Sequence, residues 1–518
     1  MRYPIGIQTF ETIIKENCVY VDKTDLVFDL AQKHICFLSR PRRFGKSLLL
    51  STLDFYFSGC RELFKGLKME ALEKDWDTYP VFRIDFAKGR LDTENGLEQV
   101  LEEYIASWES LYGKNDIYKT LSSRFQYVLE EAAKKTGRKA VVLIDEYDKP
   151  LLDVLGRELV KNNSDILKDF YGTFKAADES LRFVFITGVT KFGQNTVFAS
   201  CNQIDDISSD SRYDAICGFT KQELEEVFGQ AIDEMAGELG FSVAETKSML
   251  KKLYNGYHFS KVLLDIYNPF SIINAFDKMS PDNYWYRSGS LKYLVRLLEA
   301  HHINMQELTS KSYESQCFID YRGDDEDPLA MLYQSGYLTI KGYDRHYDEY
   351  ALDYPNVEVG GSFLKLVASS YLKKPEALIS SWAINLDKML CRGDLDMAKE
   401  TLTEFFSSAV YEEGVDSRAK DIRTHYQYML YLVFRLIASY SKVIEKQNSN
   451  GRADIIVETG NDIYIFAFRL EGNAEAALKD IEERQYALPY ILDKRRLHKV
   501  GAVFSNAAGT IEDWMAAD

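Results

Sequence analysis

The 518-residue sequence predicts an α/β chain in three parts. Residues 1–220 form a parallel sheet covered by helices, residues 221–374 a helical lid with a winged-helix-like region, and residues 375–518 an α+β unit. Three observations carry this. Short runs of β-branched and aromatic residues alternate with helical patterns in the first part, the alternation of a parallel sheet covered on both faces. The pattern then turns mainly helical. Near the end, Thr459-Gly460-Asn461 separates two apolar runs as a hairpin turn would.

In chain order, strands are expected at Ile35 to Leu38, Val81 to Phe86, Ala140 to Ile144 and Phe183 to Thr187, with helices at Lys46 to Phe57 and Gly96 to Tyr112 between them. The middle part closes with a strand pair near Tyr337 to Ile340 and Glu349 to Tyr354. Helical patterns follow over Ala377 to Val410, broken by a turn at Gly393-Asp394, and over Arg418 to Tyr440. Then come strands at Lys442 to Lys446, Ala453 to Val457 and Ile463 to Phe468, a helix from Ala474 to Leu488 and a strand from Lys499 to Phe504.

Apolar residues make up 46% and charged residues 28%, the balance of an ordered globular chain. The net charge of −17 excludes a histone-like or coating protein, so any nucleic-acid contact must come from local basic patches. Met1 to Lys23 lacks the apolar core of a secretory signal, and Arg435 interrupts the run from Tyr428 to Phe434, so no membrane segment is expected. A cytoplasmic protein is the reading. The seven cysteines are scattered without metal-ligand spacing and read as reduced structural thiols.

The chemistry-bearing segment is Ser39-Arg40-Pro41-Arg42-Arg43-Phe44-Gly45-Lys46-Ser47, which follows the first strand and opens a helix. A phosphate-binding loop needs backbone N–H groups at a helix N-terminus, a lysine for the β/γ-phosphates and a hydroxyl for magnesium. Gly45, Lys46 and Ser47 supply them, with Arg42 and Arg43 alongside. Arg40 stands where the generic motif has its first glycine. The apolar strand that ends in Asp145-Glu146 completes the set, with Asp145 for the magnesium shell and Glu146 to polarise water. The expected fold is thus a P-loop NTPase sheet that holds nucleotide phosphates and Mg2+. Thr187 is a candidate γ-phosphate sensor; capping of the next turn by Thr187 or Thr190 is the alternative. Arg212 reads either as a charge-stabilising finger or as half of a surface ion pair. Asp22, Lys23 and Thr24 read either as neighbours of the nucleotide base or as a helix cap.

Five segments in fixed order, Val19 to Thr24, Arg40 to Ser47, Ile144 to Pro150, Thr187 to Lys191 and Cys217 to Thr220, resemble the predicted AAA-ATPase-like family found with a C-terminal nuclease-superfamily domain. In that family an Arg-Pro-Arg-Arg lead-in replaces the first glycine. The resemblance implies binding of ATP and magnesium. Aromatic-rich segments at Tyr254 to Phe259, Tyr267 to Phe270 and Tyr333 to Thr339 share it, and read either as base-stacking platforms or as core. His258 reads as structural.

The C-terminal part resembles the PD-(D/E)XK superfamily, which implies a restriction-endonuclease-like fold with one acid on a hairpin strand and an acid-x-lysine set on the next. Asp454 supplies the first acid, with Glu445 as an upstream metal partner; an ordinary solvated acid on each strand is the alternative. The second set falls on Ala467 and Arg469, which lack the metal-binding oxygen and the lysine. The nuclease site is therefore expected to be degenerate and the domain to bind nucleic acid or a partner. An ATP-dependent nuclease with a rebuilt metal site and a non-enzymatic, nucleotide-gated module are the alternatives. Lys494, Arg495, Arg496, His498 and Lys499 form a local basic cluster that reads either as a phosphate track or as a solvated turn. The oligomeric state is left open.

Overall fold

A computed structural model of the chain describes residues 2–201, 203–285, 297–298, 304–322, 327–407, 422–447, 453–505 and 510–517. It divides into two compact units, Met1–Arg287 with Ser312–Asn356, and Ser288–Lys311 with Val357–Asp518.

The first unit is built on strands β1 (Ile35–Ser39), β2 (Val81–Asp85), β3 (Ala140–Asp145), β4 (Leu181–Gly188) and β5 (Asp205–Asp206). Their order is β2-β3-β4-β1-β5, and every neighbouring pair is parallel. Every residue of β1 and β3 is buried, as a central strand covered on both faces requires. Helices Gly96–Tyr112, Leu121–Thr136 and Leu159–Ala176 cover one face, over Phe82, Ile84, Val142, Ile144, Val184 and Ile186. Helix Lys46–Phe57 lies on the other, where the Phe57 ring stands 5.2 Å from Phe183. β5 escaped the sequence reading because two residues carry no period.

Two helices of the middle segment, Lys221–Leu239 and Val243–Tyr254, start at capping boxes made by Thr220 with Glu223 and Ser242 with Glu245. With helix Pro269–Asp277 they bury Phe228, Tyr254 and Phe276. A two-stranded ribbon, β6 (Phe219–Thr220) and β7 (Ile266–Tyr267), ties this bundle together. The wing has three strands, not the expected two: β8 (Ser312–Glu314), β9 (Thr339–Asp344) and β10 (Glu349–Asp353), in antiparallel order β8-β10-β9.

The second unit carries β11 (Lys442–Gln447), β12 (Ala453–Glu458), β13 (Asp462–Arg469), β14 (Arg496–Ser505) and β15 (Thr510–Ala517). They lie in that order, antiparallel except for the parallel pair β13 and β14. Tyr464, Phe466 and Phe468 alternate with Ile465, Ala467 and Arg469 along β13, so the two sets face opposite ways. The aromatic set meets helix Ile422–Ile437 through Phe434, 5.5 Å from Phe466. The other set lies under helix Ala474–Glu483, where Ile465 and Ala467 cluster with Ala477 and Ile481. The sequence reading missed β15 and ran this helix on to Leu488. The helix ends at Glu483, and Gln485 takes a left-handed conformation at φ 56°. Among the described residues no helix is long and apolar enough to cross a membrane.

Candidate functional site

β1 delivers the phosphate-loop segment and helix Lys46–Phe57 receives it. Gly45, the N-cap, has φ 94° and ψ 20°, a left-handed turn that glycine enters without Cβ strain. Arg42, Arg43 and Gly45 are exposed at the mouth of the loop. Lys46 does not face solvent. It is buried, and its Nζ donates to the carbonyl oxygens of Arg40, at 2.9 Å, and Pro41, at 3.1 Å. Burial pushes the Lys46 ammonium below its ordinary range, while Asp145 and Asp148 pull the other way.

Asp145 closes β3 and is buried. Burial raises its carboxyl, and a hydrogen bond from the Ser47 hydroxyl and the Lys46 charge partly offset this. The lysine, the hydroxyl and the acid are thus gathered at the carboxyl edge of the sheet. Glu146 follows in a left-handed conformation, φ 52°, the kind of backbone strain that persists only when the surroundings enforce it. Burial first, then the charges of Asp145 and Asp148, raise its carboxyl.

What enforces that turn is a clasp between residues 147–148 and the end of β4. Tyr147 N–H donates to Thr187 O at 3.1 Å, and its hydroxyl to Thr190 O at 3.1 Å and Phe192 O at 3.2 Å. Asp148, almost wholly buried, accepts from Val189 N at 3.1 Å, Thr190 N at 2.7 Å and Thr190 Oγ1 at 2.9 Å. Gly188 permits the approach, because a Cβ there would lie 2.6 Å from both Asp148 Oδ1 and the Tyr147 ring. The sequence carries no sign of this role, because an acid three residues past a strand end is an ordinary turn residue until β4 is placed beside it. Asp148→Ala is expected to cost about 2–4 kcal/mol in denaturant unfolding, since it strands buried donors. Unchanged stability would reject the clasp.

Thr187 hydroxyl donates to Leu38 O at 2.9 Å and is fully buried, so it fastens β4 to β1. Phosphate sensing by Thr187 would require that bond to break. Arg212 is held by Asp210, with Nε 3.0 Å from both carboxylate oxygens, so the ion-pair reading describes it. Asp22 accepts from Thr24 N at 2.9 Å and Thr24 Oγ1 at 2.7 Å, and Lys23 pairs with Glu223 at 2.6 Å, a helix-start arrangement. Tyr254, Tyr257 and Phe259 are buried as core. His258 is fixed by Ile340 O at 2.6 Å and Asp265 at 2.9 Å.

In the second unit, Asp454 stands across from Ala467 in register, with Arg469 on the same face two positions on. Each charge is already paired. Asp454 Oδ2 accepts from Arg484 at 2.7 Å and from the Tyr486 hydroxyl at 2.9 Å, and Arg469 is bound to Asp480 of the covering helix. Burial raises the Asp454 carboxyl against these partners. Ala467 is buried in the apolar cluster, and a Cβ on its neighbour Gly501 would meet Ala474 O at 2.2 Å, so the helix presses on the sheet here.

The pairing of Glu445 with Asp454 as metal ligands is corrected by the register. Glu445 stands across from Ile455, and Lys446 across from Asp454. The two-residue period therefore puts Glu445 and Asp454 on opposite faces; the Glu445 side chain lies outside the described residues, as do Gly451 and Arg452. Among the described residues no group of three or more acids, histidines or cysteines converges as a metal site. These positions do not fit a nuclease metal.

The basic cluster is largely neutralised. Arg495 pairs with Asp493 at 2.7 Å and Glu458 at 3.0 Å, Arg496 and His498 with the buried Asp462 at 2.8 Å, and Lys499 with Glu482 at 2.7 Å. Internal ion pairs leave little positive field for a phosphate backbone.

Residues 4–198 match the family described as Predicted AAA-ATPase, and residues 423–514 match the PD-(D/E)XK nuclease superfamily. Over its length the chain is similar to an uncharacterized protein in the vnfD 5' region of Azotobacter chroococcum mcd 1, at 31% identity over 518 residues, covering 98% of each chain. No solved structure matches the chain.

Proposed function

Because the chain belongs to the predicted AAA-ATPase family and carries a PD-(D/E)XK nuclease-superfamily domain at residues 423–514, we propose that it binds and hydrolyses ATP with magnesium, and that its nuclease-like domain no longer cleaves nucleic acid but binds nucleic acid or a partner. The observation that carries the ATPase reading is the meeting of Gly45, Lys46 and Ser47 with Asp145 and Glu146 at one sheet edge. Ser47 and Asp145 offer hard oxygen donors of the kind magnesium takes, and the ion would neutralise phosphate charge there. Lys46 would supply the cation for the β/γ-phosphates on leaving its carbonyls, and the exposed Arg42 and Arg43 would add positive charge at the loop. Glu146 orients and deprotonates the attacking water.

Glu146→Gln is expected to keep ATP affinity and lower turnover by about 100-fold or more, since the amide preserves shape without basicity. A single-turnover assay beside equilibrium binding checks it; equal turnover removes Glu146 from the chemistry. ATP binding without turnover in the native chain would favour the nucleotide-gated module. The ion pairs of Asp454 and Arg469 weigh against the rival with a rebuilt nuclease site.

A further inference from the structure

Phosphate loops with a glycine at the first position shape themselves; this loop carries Arg40 there, and each residue from Arg40 to Phe44 is instead seated on chain that comes much later. Arg40 is buried, donates to Ser208 O at 2.7 Å and Tyr213 O at 3.1 Å, and lies 4.0 Å over the Phe259 ring. Pro41 abuts Gly336, where a Cβ would come within 2.7 Å of the proline ring. The Arg42 carbonyl accepts from Trp285 Nε1 at 3.0 Å. Arg43 has φ 67° and stacks over Phe270 at 4.8 Å. Phe44, buried, makes edge contacts with Tyr257 at 4.8 Å and Phe259 at 5.6 Å. Lys46 in turn holds the Arg40 and Pro41 carbonyls, so the phosphate-reaching lysine and the seated segment share hydrogen bonds.

We propose that Tyr257, Phe259 and Trp285 are positioning residues for nucleotide binding, which hold the phosphate loop in the shape that glycine freedom supplies in the generic motif. The inference rests on the ATP-binding reading for its consequence, and on contacts within the first unit for its cause. Aromatic and cation–π contacts of this kind are strong enough to bias a loop conformation.

Trp285→Phe keeps an aromatic ring while removing the donor to Arg42 and part of the buried indole that packs near Tyr337. It is expected to weaken ATP binding about three- to tenfold and to raise KM with kcat unchanged. Tyr257→Leu removes the ring that meets Phe44 and should weaken binding about tenfold, whereas Tyr257→Phe should restore native affinity. In the nucleotide-free chain, hydrogen exchange of amides 40–46 should speed up in Trp285→Phe and Tyr257→Leu and stay native in Tyr257→Phe. Faster exchange in a chain that binds no ATP would leave the positioning role standing and overturn the ATP-binding reading. Native exchange and native affinity in folded Trp285→Phe would overturn the positioning role while the function stands. If Tyr257→Leu does not fold, the Trp285→Phe result decides alone.

Discussion

Lys46→Ala is expected to abolish ATP binding and to loosen the empty loop at the same time. Two effects add. The nucleotide loses charge-assisted hydrogen bonds worth about 1.5–3 kcal/mol each, so affinity should fall by about 100-fold or more. The empty protein loses the donor that serves Arg40 O and Pro41 O, and a buried carbonyl left without one costs about 1–3 kcal/mol. Calorimetric titration with ATP and denaturant unfolding without it separate the two. Native affinity in a folded variant would reject the site; an unchanged unfolding midpoint would reject the role of Lys46 in the empty loop.

The second large effect concerns the nuclease-like face. Ala467→Glu with Arg469→Lys rewrites the consensus pair, yet the result expected is loss of stability without gain of cleavage. Position 467 lies among Ala477 and Ile481 under a helix already in close contact through Gly501, so a glutamate there is overpacked and its carboxylate desolvated. Arg469→Lys also gives up the guanidinium that meets Asp480. Together these should cost about 2–5 kcal/mol. Chemical unfolding measures the cost, and a plasmid assay with magnesium or manganese measures cleavage in native and altered chains. Cleavage by the native chain that Asp454→Ala removes would revive the rebuilt metal site.

Much of the fold was legible because it rests on local signals. Helix Lys46–Phe57 follows a glycine cap, β3 is an unbroken apolar run, and Gly393, with φ 76°, marks a helix end as a left-handed glycine should. The placing of Asp145 and Glu146 at a strand end was legible for the same reason. What escaped depends on pairing across distance. Whether Lys46 meets solvent or its own carbonyls, whether Asp148 faces water or β4, and which sheet face Glu445 takes are decided by register and neighbours, not by the residue's own segment. The basic run at 494–499 looked like a patch because its partners, Glu458, Asp462 and Glu482, lie elsewhere in the sequence.

The first unit is interrupted: the chain leaves it at residue 288, re-enters at 312 and leaves again at 357. During synthesis this imposes a delay. The residues that match the ATPase family are finished at position 198, but Gly336 and the wing reach the ribosome exit only with the final stretch of the unit, up to residue 356. At about 5–20 residues per second, that is a wait of about 8–30 s. Throughout it the nascent loop has its own lysine and glycine but only part of its seat, so on the proposed reading ATP would stabilise the early chain less than the finished unit.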